Sequence, residues 1–348
     1  MGLGELWFVL IGVLLAGYAI FDGFDLGVGI LYPFLGKTEQ DKAAMRMSVG
    51  PLWDGNEVWL ITGGGALFAA FPAVYATVFS GFYIALMLLL FALIFRAGAL
   101  EFRHSDPAWA KFWDGAFFVG SAVPALLFGV AVGNIIRGLP LTASGEFITG
   151  GGTPIFLGNL LTALNPYAIV VGLLSVAWIA LHGSTWLALK TTGELRERAA
   201  RTRRVLLVAF GVLLAVATAA TALLVPGAFA KAVGSPFGWL FCVLAIAGAV
   251  LVAVGAQRGA DRMSWYGSAL AGASMVGIWA ASIFPALVPS LGPGAALTIA
   301  NSRSSQLTLT VMLIIAVIGV PLVLLYFFLI YKTYAGRMSE SDVEQGHY

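Results

Sequence analysis

The chain has 348 residues, of which 60% are hydrophobic and only 10% charged, and its formal net charge is +2. Soluble domains carry about 25% charged residues, so this composition excludes an ordinary water-facing fold, and the small net charge gives no sign of a nucleic-acid partner. Apolar runs long enough to cross a ~30 Å hydrocarbon core at about 1.5 Å per residue recur along the chain, which identifies an all-α integral membrane protein.

In chain order, the runs predict about nine transmembrane helices near residues 6–32, 54–72, 76–95, 115–136, 166–189, 205–225, 237–256, 265–288 and 308–331. The first run has no basic segment before it and continues too far for a cleavable signal, so it reads as a span. The second and third are joined by a tight turn at Phe71-Pro72-Ala73. The longest connection, 137–165, is rich in Gly, Thr and Pro, and its half-apolar stretch 153–157 suits the membrane surface or a partner. No loop is long enough for a separate soluble domain, so 1–348 reads as a single polytopic membrane domain.

With nine spans the loops alternate sides, and one side collects sixteen basic residues against three on the other. Lysine and arginine favour the cytoplasmic side, so the N-terminus is expected outside and the C-terminus in the cytoplasm. Arg198, Arg201, Arg203 and Arg204 form a basic patch on that cytoplasmic side, suited to topology and anionic-lipid contact.

Ionisable residues inside a membrane are costly and mark functional sites by default. Two clusters stand out: Phe21-Asp22-Gly23-Phe24-Asp25 in the first span, and Trp53-Asp54-Gly55-Asn56-Glu57 at the entrance of the second. Asp22 with Asp25, and Asp54 with Glu57, are i,i+3 pairs, each sharing a helix face. Asp25 lies roughly 28 Å along its helix at ~1.5 Å per residue, so both clusters fall in the cytoplasmic half on adjacent antiparallel helices. Four neighbouring carboxyls able to hold or release protons suit a proton pathway. Asp22, Asp54 and Glu57 also suit helix capping, or pairing with Arg46 and Arg96 at the interface, while Asp25 lies deeper.

Other polar residues carry less. His182 is the one histidine inside a span, read as a hydrogen-bonded interfacial residue near the cytoplasmic end; His104 and His347 fall outside the spans. No clustered His/Cys set suggests a metal. Gly63-Gly64-Gly65 reads as close helix packing, Trp7, Trp186, Trp239 and Trp265 as interface anchors, and Cys242 as a small buried hydrophobe.

These residues resemble subunit II of the cytochrome bd-type quinol oxidases. The resemblance rests on Asp22-Gly23-Phe24-Asp25-Leu26-Gly27-Val28-Gly29, on Trp53-Asp54-Gly55-Asn56-Glu57-Val58-Trp59 and on Phe79-Ser80-Gly81-Phe82-Tyr83. It continues through Phe95-Arg96, Trp113-Asp114, Gly129-Val130-Ala131-Val132-Gly133-Asn134 and Leu164-Asn165-Pro166, and is dense over roughly the first 195 residues.

The resemblance implies two four-helix bundles plus one peripheral helix, and pairing with a homologously folded subunit I. That subunit would carry two haems b, one haem d and the quinol site, with none of the haems ligated by this chain. Small accessory subunits accompany some such complexes, and some members hold a structural quinone in subunit II, for which no motif here fixes a site. The complex would oxidise quinol, reduce O2 to water with cytoplasmic protons, and sit in the bacterial cytoplasmic membrane. In the family, the aspartates matching Asp25 and Asp54 lie on a proton route; Glu57 stands where other members carry glutamine. No catalytic residue is expected in this chain. A proton-coupled secondary transporter is the alternative, since that class also uses intramembrane carboxylates, but inverted repeats and midplane helix breaks are not evident.

Overall fold

The computed structural model describes residues 2–105, 107–143, 145–147 and 160–338. The stretch 153–157 and His347 lie outside the described residues. The helices are α1 (Leu3–Leu35), α2 (Glu39–Met47), α3 (Trp53–Ala70), α4 (Pro72–Gly81), α5 (Tyr83–Phe102), α6 (Ala110–Arg137), α7 (Pro166–Lys190), α8 (Gly193–Leu224), α9 (Pro226–Gly234), α10 (Pro236–Arg258), α11 (Asp261–Ile283), α12 (Ile299–Ser302) and α13 (Gln306–Thr333). A small antiparallel pair, β1 (Ala286–Val288) with β2 (Leu297–Thr298), sits between α11 and α12.

Eight of the described helices are long and apolar enough to cross a membrane: α1, α5, α6, α7, α8, α10, α11 and α13. The expected second span is α3, which falls short of that standard because its first turns carry Asp54, Asn56 and Glu57. A count of nine therefore does not follow from length and apolarity alone.

Local sequence places the boundaries. Pro72, Pro166, Pro226 and Pro236 occupy the first turn of α4, α7, α9 and α10, where a missing N–H costs nothing. Asn165 caps α7 by accepting from Ala168 N, and Thr38 and Asp41 cap α2 reciprocally at 3.0 Å in each direction. Gly259, at φ 65°, ends α10 in the left-handed conformation.

Three helices run differently from the expected spans. The third, 76–95, is interrupted at Phe82, so the long helix is shifted to Tyr83–Phe102. The sixth begins as a helix at Gly193 rather than near 205: the arginine-rich stretch is made of good helix formers and continues into the apolar run without a break. The eighth ends at Ile283, because Pro285 and the β1 strand follow.

The packing forms two groups of four. Helices α1, α3, α5 and α6 make one, and α7, α8, α10 and α11 the other, with α1 and α6 packed on α7 along the seam. At its tightest crossing, a Cβ on Gly27 of α1 would meet the Ile179 carbonyl and lie 2.7 Å from Gly183 Cα of α7. Gly29 stands against Ser121 of α6 in the same way. By contrast Gly64 and Gly65 face open space and only Gly63 approaches α1, so the glycine triplet is not the close crossing expected of it. Helix α13 lies against α1 and α3 with only Leu309 and Phe327 buried, and is the peripheral helix.

Candidate functional site

Helix α1 carries Asp22 and Asp25 into the protein interior, where they are 0% and 1% exposed. Arg96, fully buried on α5, donates through one nitrogen, Nη2, to Asp22 Oδ1 at 2.6 Å and to Glu57 Oε1 at 2.6 Å. A single guanidinium thus joins α5 to α1 and to the first turns of α3. Burying an ionised side chain without a partner costs several kcal/mol, so this triad fixes the three helices relative to one another.

The second half of the cluster is built on Asn56. Its amide nitrogen donates to Asp25 Oδ2 at 2.7 Å and to the Phe21 carbonyl at 3.2 Å. Its carbonyl oxygen accepts from the Tyr331 hydroxyl of α13 at 3.0 Å. Asp25 Oδ1, Asp22 Oδ2 and Arg96 Nε and Nη1 are buried and make no hydrogen bond within the described residues. Phe21, Trp59, Phe327 and Tyr331 stack around one flank of the cluster, with ring centroids 4.9–5.6 Å from Phe21.

The four expected acids are therefore only partly brought together. Asp22, Asp25 and Glu57 converge on Arg96 and Asn56. Asp54 turns away: it is exposed, makes no ion pair among the described residues, and lines a groove of about 350 Å³ with Gly55, Val58, Leu322, Val323, Tyr326 and Phe327. Arg96 accounts for Asp22 and Glu57 as the interface-pairing alternative expected, although deep in the fold, whereas Arg46 instead donates to the Tyr32 hydroxyl. Asn56 and Tyr331 were not singled out from the sequence. Asn56 sits one residue before Glu57 in the quoted motif, and its polarity within a span was the available signal; Tyr331 lies 275 residues further on and gave none.

His182 is buried in the core rather than at an interface. Its Nε2 donates to the Ile20 carbonyl at 2.9 Å and its Nδ1 lies 2.7 Å from Ser268 Oγ. The ring is stacked between Trp178 and Trp265. With both nitrogens engaged and both faces covered, His182 does not fit the role of a haem ligand. Among the described residues no group of three or more His, Cys, Asp or Glu is placed to hold a metal. Trp7 and Trp186 are likewise buried, donating to the Leu309 and Ser48 carbonyls, so they anchor helices to each other instead of to the bilayer.

A second charged cluster closes the adjoining loops. Asp114 accepts from Tyr32 at 2.9 Å, Lys42 at 2.7 Å and Arg103 at 2.8 Å, and Glu39 accepts from Arg103 at 2.5 Å. The hydrogen bond to Asp114 holds the Lys42 ammonium above its usual range, against the opposing effect of burial. Burial raises the Glu39 carboxyl, but the bonds from Arg103 and Lys42 outweigh it and leave it below the usual carboxylate range.

The fold and this buried site define a polytopic helical membrane protein with an acid–arginine cluster in its interior. The family model for cytochrome bd terminal oxidase subunit II matches residues 3–334. The chain is 38% identical to the probable cytochrome oxidase subunit 2 of Haemophilus influenzae, and 35% identical to the cytochrome bd-I ubiquinol oxidase subunit 2 of Escherichia coli K12; in each case 98% of this chain and 96% of the relative are covered. It is 33% identical to the cytochrome bd ubiquinol oxidase subunit 2 of Bacillus subtilis, over 98% of both chains. A chain from the structure of the bd oxidase of Geobacillus thermodenitrificans shares the fold at a TM-score of 0.79, with 15% identity, covering 96% of this chain and 99% of that one. The chain belongs to the cytochrome bd terminal oxidase subunit II family.

Proposed function

We propose that the chain is the haem-free subunit of a quinol:oxygen oxidoreductase and forms part of its proton-uptake path. The observation that carries this reading is the buried cluster of Asp22, Asp25, Glu57, Asn56 and Arg96 in a membrane interior where such groups are expensive. The names borne by the relatives, and the full-length match to them, support the oxidase assignment.

In this reading the chain pairs with a subunit I whose two haems b and haem d supply electron transfer from quinol and reduction of O2 to water. The residues of this chain handle protons only. Arg96 neutralises Asp22 and tethers Glu57, the half-exposed acid at the outer end of the cluster. Asn56 holds one oxygen of Asp25 and leaves Asp25 Oδ1 free, the atom at which a proton would be held. Buried polar atoms without a protein partner are the places that ordered water normally satisfies, and four such atoms lie together here. Asp54 stands outside this cluster, exposed and facing the groove along α13.

The chain acts as one membrane domain of residues 1–348, with the N-terminus outside and the C-terminus in the cytoplasm of a bacterial cell, as the sixteen-to-three charge bias indicates. Small accessory subunits and a structural quinone are compatible with it. Purification of the native complex tests the assignment. Haem absorption bands and quinol-dependent oxygen uptake should travel with this chain and one further membrane subunit. A colourless chain that is active alone would contradict it.

A further inference from the structure

At the N-terminal end of α8, one carboxylate holds three guanidinium groups. Asp261, buried at the start of α11, accepts from Arg196 Nε at 3.0 Å and Nη2 at 2.7 Å, from Arg203 Nη1 at 3.1 Å, and from Arg337 Nη2 at 2.9 Å. Asp261 neutralises one of these charges and leaves two. Arg204, Arg258 and Arg262 flank the same point in sequence, are exposed, and form no ion pair among the described residues. The carboxylate thus gathers positive charge: it holds guanidinium forks in place ahead of any ligand, which lowers the ordering cost of binding an anion.

The position of this charge selects the anion. Directly after Arg204, α8 presents Val205, Val208 and Val212 outward, the first two at 70% and 67% exposure. Helix α10, which ends in Arg258, presents Val243, Ile246 and Val250 outward on its way there. Two outward apolar faces therefore lead up to one basic cluster, the arrangement that a headgroup with attached acyl chains fits and a soluble anion does not use.

We propose that the arginine cluster around Asp261 binds the phosphate of an anionic membrane phospholipid whose chains lie along α8 and α10. The site shares no hydrogen bond with the acid cluster at Arg96 among the described residues and does not depend on any proton role for that cluster.

The test uses the whole delipidated complex in nanodiscs of phosphatidylcholine with increasing phosphatidylglycerol, read by thermal midpoint and by lipid retained in native mass spectrometry. The intact complex should gain stability and retain phosphatidylglycerol. The combined Arg204→Gln, Arg258→Gln and Arg262→Gln variant should bind it about a hundredfold more weakly, each arginine near an anionic surface being worth several-fold. Asp261→Asn, which keeps every arginine but loosens three of them, should show a smaller loss of lipid retention. The proposal is overturned if the triple variant retains phosphatidylglycerol like the wild type, or if inorganic phosphate gives the same stabilisation.

Discussion

Asn56 of α3 donates to Asp25 of α1 across 2.7 Å, and the same amide is held from its other end by Tyr331 of α13. One neutral side chain thus links the buried carboxyl of the first span to the last helix of the chain. Replacing Asn56 by Ala removes both bonds, together with the one to the Phe21 carbonyl, and leaves Asp25 with no hydrogen-bond partner for either oxygen among the described residues. A buried hydrogen bond to a charged group is worth about 1.5–3 kcal/mol, so the Asn56→Ala complex should lose that much stability, seen as a lower thermal midpoint. Tyr331→Phe, which removes only the outer bond, should cost about 1 kcal/mol.

Arg96 carries a heavier share. Arg96→Met leaves Asp22 buried and uncompensated, a loss of about 3–5 kcal/mol. Little assembled complex should accumulate, as measured by haem recovered with the membrane fraction. The double variant Arg96→Met with Asp22→Asn removes the stranded charge and should recover part of the assembly. Equal yields of the single and double variants would show that the Arg96–Asp22 ion pair does not determine assembly.

The Gly27–Gly183 crossing gives a steric prediction. Gly27→Ala places a methyl group against the Ile179 carbonyl and Gly183 backbone, and overpacking of this kind costs about 1–3 kcal/mol. Gly64→Ala meets nothing within 4 Å and should be neutral or stabilising, because alanine is the better helix former by about 1 kcal/mol. Thermal midpoints of the two variants should move in opposite directions or differ by several degrees.

The loop cluster around α2 should respond to pH with a definite sign. Lys42 is raised in the folded protein, so its contribution is complete below its unfolded value near ~10.4 and fades as pH rises through the folded value. Glu39 is lowered, so its contribution is complete above about 4.3 and fades as pH falls through the folded value. The stability difference between wild type and Lys42→Met should shrink at strongly alkaline pH, and that for Glu39→Gln should shrink in acid. The Glu39→Gln difference should be below about 1 kcal/mol at neutral pH, since Glu39 is largely exposed.

The membrane architecture was legible because span length and apolarity are set by the bilayer and can be read locally. Helix ends were less legible. Hydropathy marks where a chain meets water, whereas α8 continues as a helix through Arg196–Arg204, beyond that boundary. Asp22 and Asp25 were legible as polar exceptions within an apolar run, and both are buried in the protein. The divergence of Asp54 from Glu57 was not: residues three apart on a helix point about 60° apart, and only the position of Arg96 on α5 determines which one turns inward. The pairing of Asn56 with Tyr331 depends on where the last helix returns, which no local pattern encodes.

In the proposed function, Asp25 holds a proton on its way to the oxygen-reducing partner. The most direct measurement is oxygen-coupled proton uptake, followed in the purified complex carrying Asp25→Asn and compared with wild type at matched haem content. Asparagine keeps the shape and the bond to Asn56 but cannot carry the proton, so uptake and quinol-dependent oxygen consumption should fall by about tenfold or more, equivalent to ~1.4 kcal/mol of added barrier. Full haem content together with wild-type proton uptake and turnover would contradict the claim.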